Sequence, residues 1–226
     1  MHHTAQRRPG QAPETRGKTI RWARWYDLAS WLMSFGRAPA IRRRIIALAA
    51  PRPGERVLDV GCGTGTLAID LKRKVGPPGE VRGIDAAAEM VAVSRSKARR
   101  AGVQVDFQPA AIEQLPFADG TFDLVTSTFM LHHLPDDLKR QGIAEVRRVL
   151  KPGGRFLAVD FSGENGSVIG RLITLFGHGH GKAEGARLRA MLAEAGFGPV
   201  QTLKTQYGSL LFLRAAVPAA PDQPGG

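Results

Sequence analysis

An α/β fold, with a mostly parallel sheet and helices on both faces, is what this sequence predicts, and three observations predict it. Strand-like apolar runs alternate with helical periodicities from Arg56 to Asp160. The run Val57-Leu58-Asp59-Val60 has the continuous apolar pattern of a strand covered on both faces, and it leads straight into Gly61, Gly63 and Gly65. A second run, Glu80-Val81-Arg82-Gly83-Ile84-Asp85, ends in a carboxylate 20 residues after Gly65. Right-handed crossovers follow from the chirality of the βαβ unit.

The glycines supply a turn that needs unusual dihedrals and a backbone bare enough for a ligand to touch. Leu67, Ala68 and Leu71 return to helical spacing, so the loop lies between a strand and a helix N-terminus. Open α/β sheets bind ligands there. The spacing is not that of a dinucleotide site, G-x-G-x-x-G: the third glycine comes one residue early and Thr66 holds the place of the last. An acid at Asp85 suits the two hydroxyls of a ribose.

With 226 residues and 43% hydrophobic content, the chain is long enough for one domain with a full core, with room for an appendage. It holds no apolar run of about 18 residues and no apolar leader segment at its start. Its single cysteine, Cys62, excludes an intramolecular disulfide and a cysteine metal cluster. A cytoplasmic protein is expected. The net charge of +12 is uneven, because residues 1–56 carry twelve Arg and Lys against Glu14, Asp27 and Glu55, a balance of +9. That basic quarter suits anionic lipid, nucleic acid or an acidic substrate.

Residues 1–17, rich in Pro, Gly, Gln and Arg, read as a disordered basic arm. Residues 18–50 read as an amphipathic helical lid: Trp22, Trp25, Tyr26, Ala29, Leu32 and Met33 make one apolar stripe, and a second piece at residues 41–48 carries Arg42, Arg43 and Arg44 beside its apolar face. Arginine flanked by tryptophan also suits a helix lying on a membrane surface, and the two uses are compatible. Residues 51–216 form the main domain, opened by the breaker Pro51-Arg52-Pro53-Gly54. Within it the pattern predicts a helix at 87–101 and a strand at 103–109. A strand at 124–126, a helix at about 135–150, a stop-and-turn at 151–154 and a strand at 155–160 follow. Residues 217–226 read as a disordered tail.

The sequence Asp59-x-Gly61-x-Gly63-x-Gly65 resembles the first motif of the class I S-adenosylmethionine-dependent methyltransferases. Further matches narrow the likeness to the ubiquinone/menaquinone-biosynthesis type of methyltransferase. They are Tyr26-Asp27-Leu28, Asp85, Leu115-Pro116-Phe117 with Phe122-Asp123, Leu131-His132-His133-Leu134 and Leu150-Lys151-Pro152-Gly153-Gly154. This resemblance implies a Rossmann-like, seven-stranded sheet whose last two strands, at 198–205 and 209–215, form a reversed hairpin. It implies S-adenosylmethionine as cofactor, with Asp59, Gly61, Gly63 and Gly65 along its methionine part, Asp85 at the ribose, and Ile112 with Glu113 at the adenine. Tyr26, Cys62, Ala86 and Thr128 complete the implied cofactor contacts. One departure is Ala111, where the family commonly has an aspartate that accepts from the adenine amino group.

Methyl transfer from a sulfonium is an in-line displacement, so positioning and dryness matter most, and a base is needed only for a protonated acceptor. The candidates for that base are His132 and His133 after the fourth strand, Asp160 at the tip of the fifth, and His178 and His180 in Gly177-His178-Gly179-His180-Gly181. Each histidine alone also reads as a hydrogen-bonded structural residue. No metal is expected, because no clustered carboxylate or cysteine completes a site with His178 and His180. The apolar insert Val168 to Phe176 should meet the Trp22–Trp31 helix at the acceptor entrance, so Trp22, Trp25, Leu172 and Phe176 are the expected substrate contacts. A small hydrophobic acceptor follows: a quinone, phenol, phospholipid or natural product. Peripheral contact with an anionic membrane is compatible with it. The alternative from another class, a nucleic-acid-binding protein of this fold with degraded catalysis, draws on the basic N-terminal quarter and Ala111. The acceptor's identity and the oligomeric state stay open.

Overall fold

Val57 and Leu58 are adjacent, point to opposite faces and are both fully buried, which is why consecutive positions of this strand have to be apolar. The structure, a computed structural model, describes residues 36–162, 183–208 and 210–219. In chain order the elements are α1 (Ala38–Ala49), β1 (Arg56–Val60), α2 (Thr66–Val75), β2 (Glu80–Asp85), α3 (Ala88–Arg100), β3 (Asp106–Pro109), β4 (Phe122–Thr128), a 3₁₀ turn (Leu131–His133), α4 (Asp136–Val149), β5 (Leu150–Phe161), α5 (Ala183–Glu194), β6 (Gln201–Thr202) and β7 (Leu210–Ala216). The seven strands form one sheet in the order β3-β2-β1-β4-β5-β7-β6. β1 to β5 pair in parallel, while β7 runs antiparallel to both β5 and β6.

Strand alternation divides the core in two. Val57, Val81, Leu124, Leu157 and Phe212 face Ile45, Leu71 and Val91, contributed by α1, α2 and α3. Leu58, Ile84, Val125, Phe156 and Leu213 face Ile143, Val146 and Leu188 of α4 and α5. Gly65 shows how tightly the first layer closes. A Cβ added there would lie 2.7 Å from both Phe107 Cζ and Ser94 Cβ, so α3 and β3 approach the loop only because the side chain is missing.

Arg155 ties α1 to the sheet. Its Nε and Nη2 donate to the carbonyls of Ala49 and Ala50 at 3.0 and 2.6 Å, where a helix end leaves acceptors without partners. The same guanidinium meets both oxygens of Glu55 at 2.7 and 2.8 Å. Burial alone would raise the Glu55 carboxyl, but the Arg155 bonds and the Arg52 amide outweigh it and hold the group below its ordinary range.

Three expectations change at the strand ends. The stop-and-turn at 151–154 is a bulge inside β5 rather than a break before it: the pairing passes from Phe122↔Leu150 to Leu124↔Arg155, and Gly153 at φ 74° takes the bend. β3 begins at Asp106 rather than 103, and β6 covers Gln201–Thr202 rather than 198–205. Both are edge strands, paired on one side only, so their ends have little to hold them in register. The basic arm, most of the helical lid, the insert at 168–176 and most of the tail lie outside the described residues.

Gly65→Ala should destabilise the protein by about 2–4 kcal/mol, from overpacking plus a left-handed backbone at φ 77°. Urea unfolding checks this, and a change within about 0.5 kcal/mol would contradict it.

Candidate active site

The chain runs outward from β1 through β2 to β3 and then crosses to β4 on the other side, so the crevice at the carboxyl ends of β1 and β4 is the sheet's switch point. Asp59 stands there. It pairs in register with Thr126, and its side chain is 1% exposed. One oxygen, Oδ1, accepts from Thr126 Oγ1 at 2.8 Å; the other, Oδ2, has no partner among the described residues. Burial pushes the Asp59 carboxyl up to about 7 against the lowering effect of Thr126, and the charge of Asp85 adds to the rise.

Beyond Val60 the backbone bends through Gly61, Gly63 and Gly65 at φ 71°, 52° and 77°, all left-handed. Cys62 N–H donates to the Ile84 carbonyl at 2.9 Å and so extends the β1–β2 ladder by one rung. The Cys62 thiol turns into the core against β2, where a Cβ on Gly83 would meet its sulfur at 3.1 Å. Burial, with Asp59 and Asp85 nearby, raises that thiol well above its ordinary range, so it is no nucleophile and only its backbone belongs to the loop. At Gly61 the missing side chain matters differently: a Cβ there would lie 2.5 Å from Met130 Cγ, so Met130 rests directly on the bare loop.

Asp85 closes the loop from the next strand. Its Oδ2 accepts from Gly63 N–H and its Oδ1 from Ala87 N–H, both at 2.9 Å. Burial raises this carboxyl, and the two amides pull it back down. A carboxylate oxygen can accept more than one hydrogen bond, so each retains capacity for a ligand hydroxyl. Ala86, between the two anchored positions, is half-buried.

Residues 110–117 cross above the end of β3. Arg148 of α4 pins them, donating to the carbonyls of Phe117 and Leu115 at 2.7 and 3.0 Å, while Glu145 accepts from Leu115 N–H at 2.8 Å. Glu145 and Asp119 in turn hold the Arg148 guanidinium more firmly protonated. Ala111 and Ile112 are buried, and Ile112 packs where Gly142 leaves room on α4. Gln141 fixes the Glu113 carbonyl at 3.0 Å.

On the other side of the crevice, Phe129 adopts a left-handed φ of 54°, rare for an aromatic residue, and donates its N–H to Val159 at 2.8 Å. The turn it makes sends Met130 onto Gly61 and His132 over β5. Asp160, 4% exposed, receives His132 twice: the backbone N–H on Oδ2 at 3.0 Å and Nδ1 on Oδ1 at 2.6 Å. Phe161 stands edge-on to the His132 ring at 5.1 Å, and Phe129 and Phe161 lie 5.3 Å apart. Thr128, half-buried, pairs in register with Val159.

The structure therefore brings together Asp59, Gly61, Gly63, Asp85, Thr128, His132 and Asp160 at one end of the sheet, with residues 110–113 at its side. The His133 ring lies tilted at 43° against that of His132, 3.9 Å away. Tyr26, Trp22, Trp25, Leu172, Phe176, His178 and His180 lie outside the described residues. Met130, Phe129 and Thr126 were not legible as site residues. Thr126 was readable as strand, but its partnership with Asp59 depends on the β1–β4 register, which no spacing within either strand reveals. A cleft of about 890 Å³ near Lys72, Arg95 and Asp106 lies away from this end, and Lys72 and Arg95 there donate to the carbonyls of Gly79 and Phe107.

A parallel sheet with a reversed hairpin, a three-glycine loop after the first strand and an acid ending the second define the Rossmann-like class I methyltransferase fold. A family model described as methyltransferase domain matches residues 57–154. The chain is 37% identical over 217 residues to the ubiquinone/menaquinone biosynthesis C-methyltransferase UbiE of Pseudomonas paraeruginosa, covering 85% of this chain and 84% of that one. It is 43% identical over 136 residues to the demethylmenaquinone methyltransferase of Thermus thermophilus, a stretch that spans 60% of each chain. The solved structure of a SAM-dependent methyltransferase from Aquifex aeolicus superposes with a TM-score of 0.61 at 23% identity, covering 78% of this chain and 89% of that one. The chain belongs to the ubiquinone/menaquinone-biosynthesis family of S-adenosylmethionine-dependent methyltransferases.

The residues present fit such a donor. A stranded anionic oxygen at Asp59 lies beneath the bare loop, and Asp85 has acceptor capacity at its rim. Because the folded carboxyl of Asp59 is raised, its contribution to stability is full below its ordinary range and is lost as pH climbs through about 7. In ligand-free protein, Asp59→Asn should match the wild-type melting temperature near about pH 4 and exceed it by several degrees near about pH 8. Equal melting temperatures at both values would contradict the burial of an unpaired charge.

Proposed function

We propose that this protein transfers a methyl group from S-adenosylmethionine to a small apolar acceptor of quinone type. The observation that carries this reading is Asp85, held at the loop by Gly63 and Ala87 with one acceptor position left on each oxygen, facing the glycines from the neighbouring strand. The donor supplies a methyl group activated by a cationic sulfur. Asp85 would take its ribose hydroxyls, and the Asp59 oxygen that lacks a partner would attract its positive end. Ala86 and Thr128 would flank it. Ile112 would offer the adenine its backbone N–H, which donates to nothing among the described residues, in place of the carboxylate that Ala111 lacks. That exchange forfeits one hydrogen bond, worth about 0.5–1.5 kcal/mol net.

The acceptor class is supported from two sides. Relatives that match over 217 residues are named for quinone biosynthesis, and Phe129, Met130 and Phe161 give the crevice an apolar wall. Trp22, Trp25, Tyr26, Leu172 and Phe176 are proposed to complete it. A cytoplasmic location with peripheral contact to anionic membrane fits the +9 charge of residues 1–56, and no described helix is long and apolar enough to cross a membrane. No observation favours the nucleic-acid-binding alternative.

Calorimetric titration with S-adenosylmethionine should give saturable binding that weakens at least about 10-fold in Asp85→Ala. Unchanged affinity would refute the assignment of the donor site. Transfer from labelled donor across a panel of apolar and polar acceptors should favour prenylated and quinone-like compounds; a preference for polar ones would defeat the acceptor assignment.

A further inference from the structure

We propose that His132 is the general base of this site, that Asp160 positions it, and that the acceptor is therefore one that gives up a proton during transfer. The proposal deepens the methyltransferase reading above and rests on it. Three donors converge on the Asp160 carboxylate: His132 N–H on Oδ2 at 3.0 Å, and Phe161 N–H and His132 Nδ1 on Oδ1 at 2.9 and 2.6 Å. Two of the three are backbone amides, which can only donate, so the carboxylate is used as an acceptor throughout. Its Oδ1 then requires the proton on Nδ1, and the neutral imidazole is left with its lone pair on Nε2.

The placement suits a base for the acceptor rather than a ligand for the donor. Asp160 ends β5, two strands from β1, which sets the dyad about 10 Å across the sheet from the glycine loop. Met130, two residues before His132, bridges that distance by resting on Gly61. Phe161 edge-on at 5.1 Å fixes the ring in an apolar setting. The left-handed Phe129 that directs the chain here is local strain of the kind that persists where a site requires it. Among the described residues two titratable groups flank the ring, Asp160 in the hydrogen bond and His133 with its ring tilted against it at 3.9 Å.

In the step, Nε2 takes the acceptor's O–H proton as the oxygen, or the ring carbon beside it, forms its bond to the methyl carbon, and the electron pair of the cleaved sulfur–carbon bond stays on sulfur. After attack by oxygen the proton passes from Nε2 to water; after attack by carbon the ring C–H proton is lost to water and Nε2 returns its proton to the oxygen. Acceptors that are nucleophilic without losing a proton, such as thioethers, have no use for this arrangement. Hydroxyarenes and hydroquinones do.

The test compares wild type with His132→Ala, His132→Gln and Asp160→Asn, using a prenylated naphthohydroquinone in detergent as the hydroxylic probe and an alkyl thioether as the probe that loses no proton. His132→Ala should keep its calorimetric affinity for S-adenosylmethionine within about 3-fold while kcat on the hydroquinone falls about 100-fold or more. Added imidazole should restore part of the loss. His132→Gln, which can still bond to Asp160, should be as poor a catalyst, and Asp160→Asn should shift the low-pH limb of the kcat profile. A kcat within about 3-fold of wild type in both histidine variants, with an unmoved pH profile and intact donor binding, would overturn the base while leaving the methyltransferase reading standing. Wild-type transfer to the thioether probe and not to the hydroquinone would overturn it as well.

Discussion

The interaction on which the rest of the structure depends is the register between β1 and β4 that sets Asp59 opposite Thr126. It places a carboxylate at the tip of the central strand, under the loop, with one oxygen bonded to the threonine hydroxyl and the other without a partner. A buried carboxylate in that condition favours its proton, which is why the group is pushed up to about 7. The fold tolerates an unfavourable group at its centre, and such a group is stabilised by whatever brings positive charge to the loop.

The division of the sheet into two faces assigns the remaining tasks. Side chains at odd positions of β1 point toward α1, α2 and α3, so Asp59 lies on the layer that Gly65 and Gly83 allow to close tightly around Phe107. Asp160 lies on the opposite layer with α4 and α5, and there it meets His132. The residues proposed for donor and for acceptor, Asp59 and Asp160, thus lie on opposite faces of the sheet by strand parity. The turn through Phe129 and Met130 is what connects them. Arg155 and Arg148 act at a distance from this crevice, one fixing α1 through helix-end carbonyls and the other fixing the segment that carries Ile112.

Much of the fold was legible because its signals are local. Apolar runs of strand length, the breaker at 51–54 and the glycine spacing sit within a few residues of what they specify, and each of those elements occurs where the pattern put it. The edges were less legible: β3 and β6 are shorter than their apolar patterns because pairing, not propensity, ends an edge strand. At the site, Asp59, the glycines and Asp85 announced themselves by spacing. Met130 did not, since its contact with Gly61 joins residues far apart in sequence. His132 was legible as a candidate but not as a partner of Asp160, a pairing made by two neighbouring strand ends in space. Gly65 was legible as a glycine and not in its reason, which is the ring of Phe107 behind it.

The central claim is that a buried, half-satisfied carboxylate waits at the tip of β1 for a cationic ligand. Carbon-13 NMR of the Asp59 carboxyl, titrated with and without S-adenosylmethionine, tests it most directly. The account predicts a midpoint near 7 in the free protein and a fall of at least about one unit when the donor is present. A free-protein midpoint in the ordinary aspartate range, or one that the donor leaves unmoved, would contradict it.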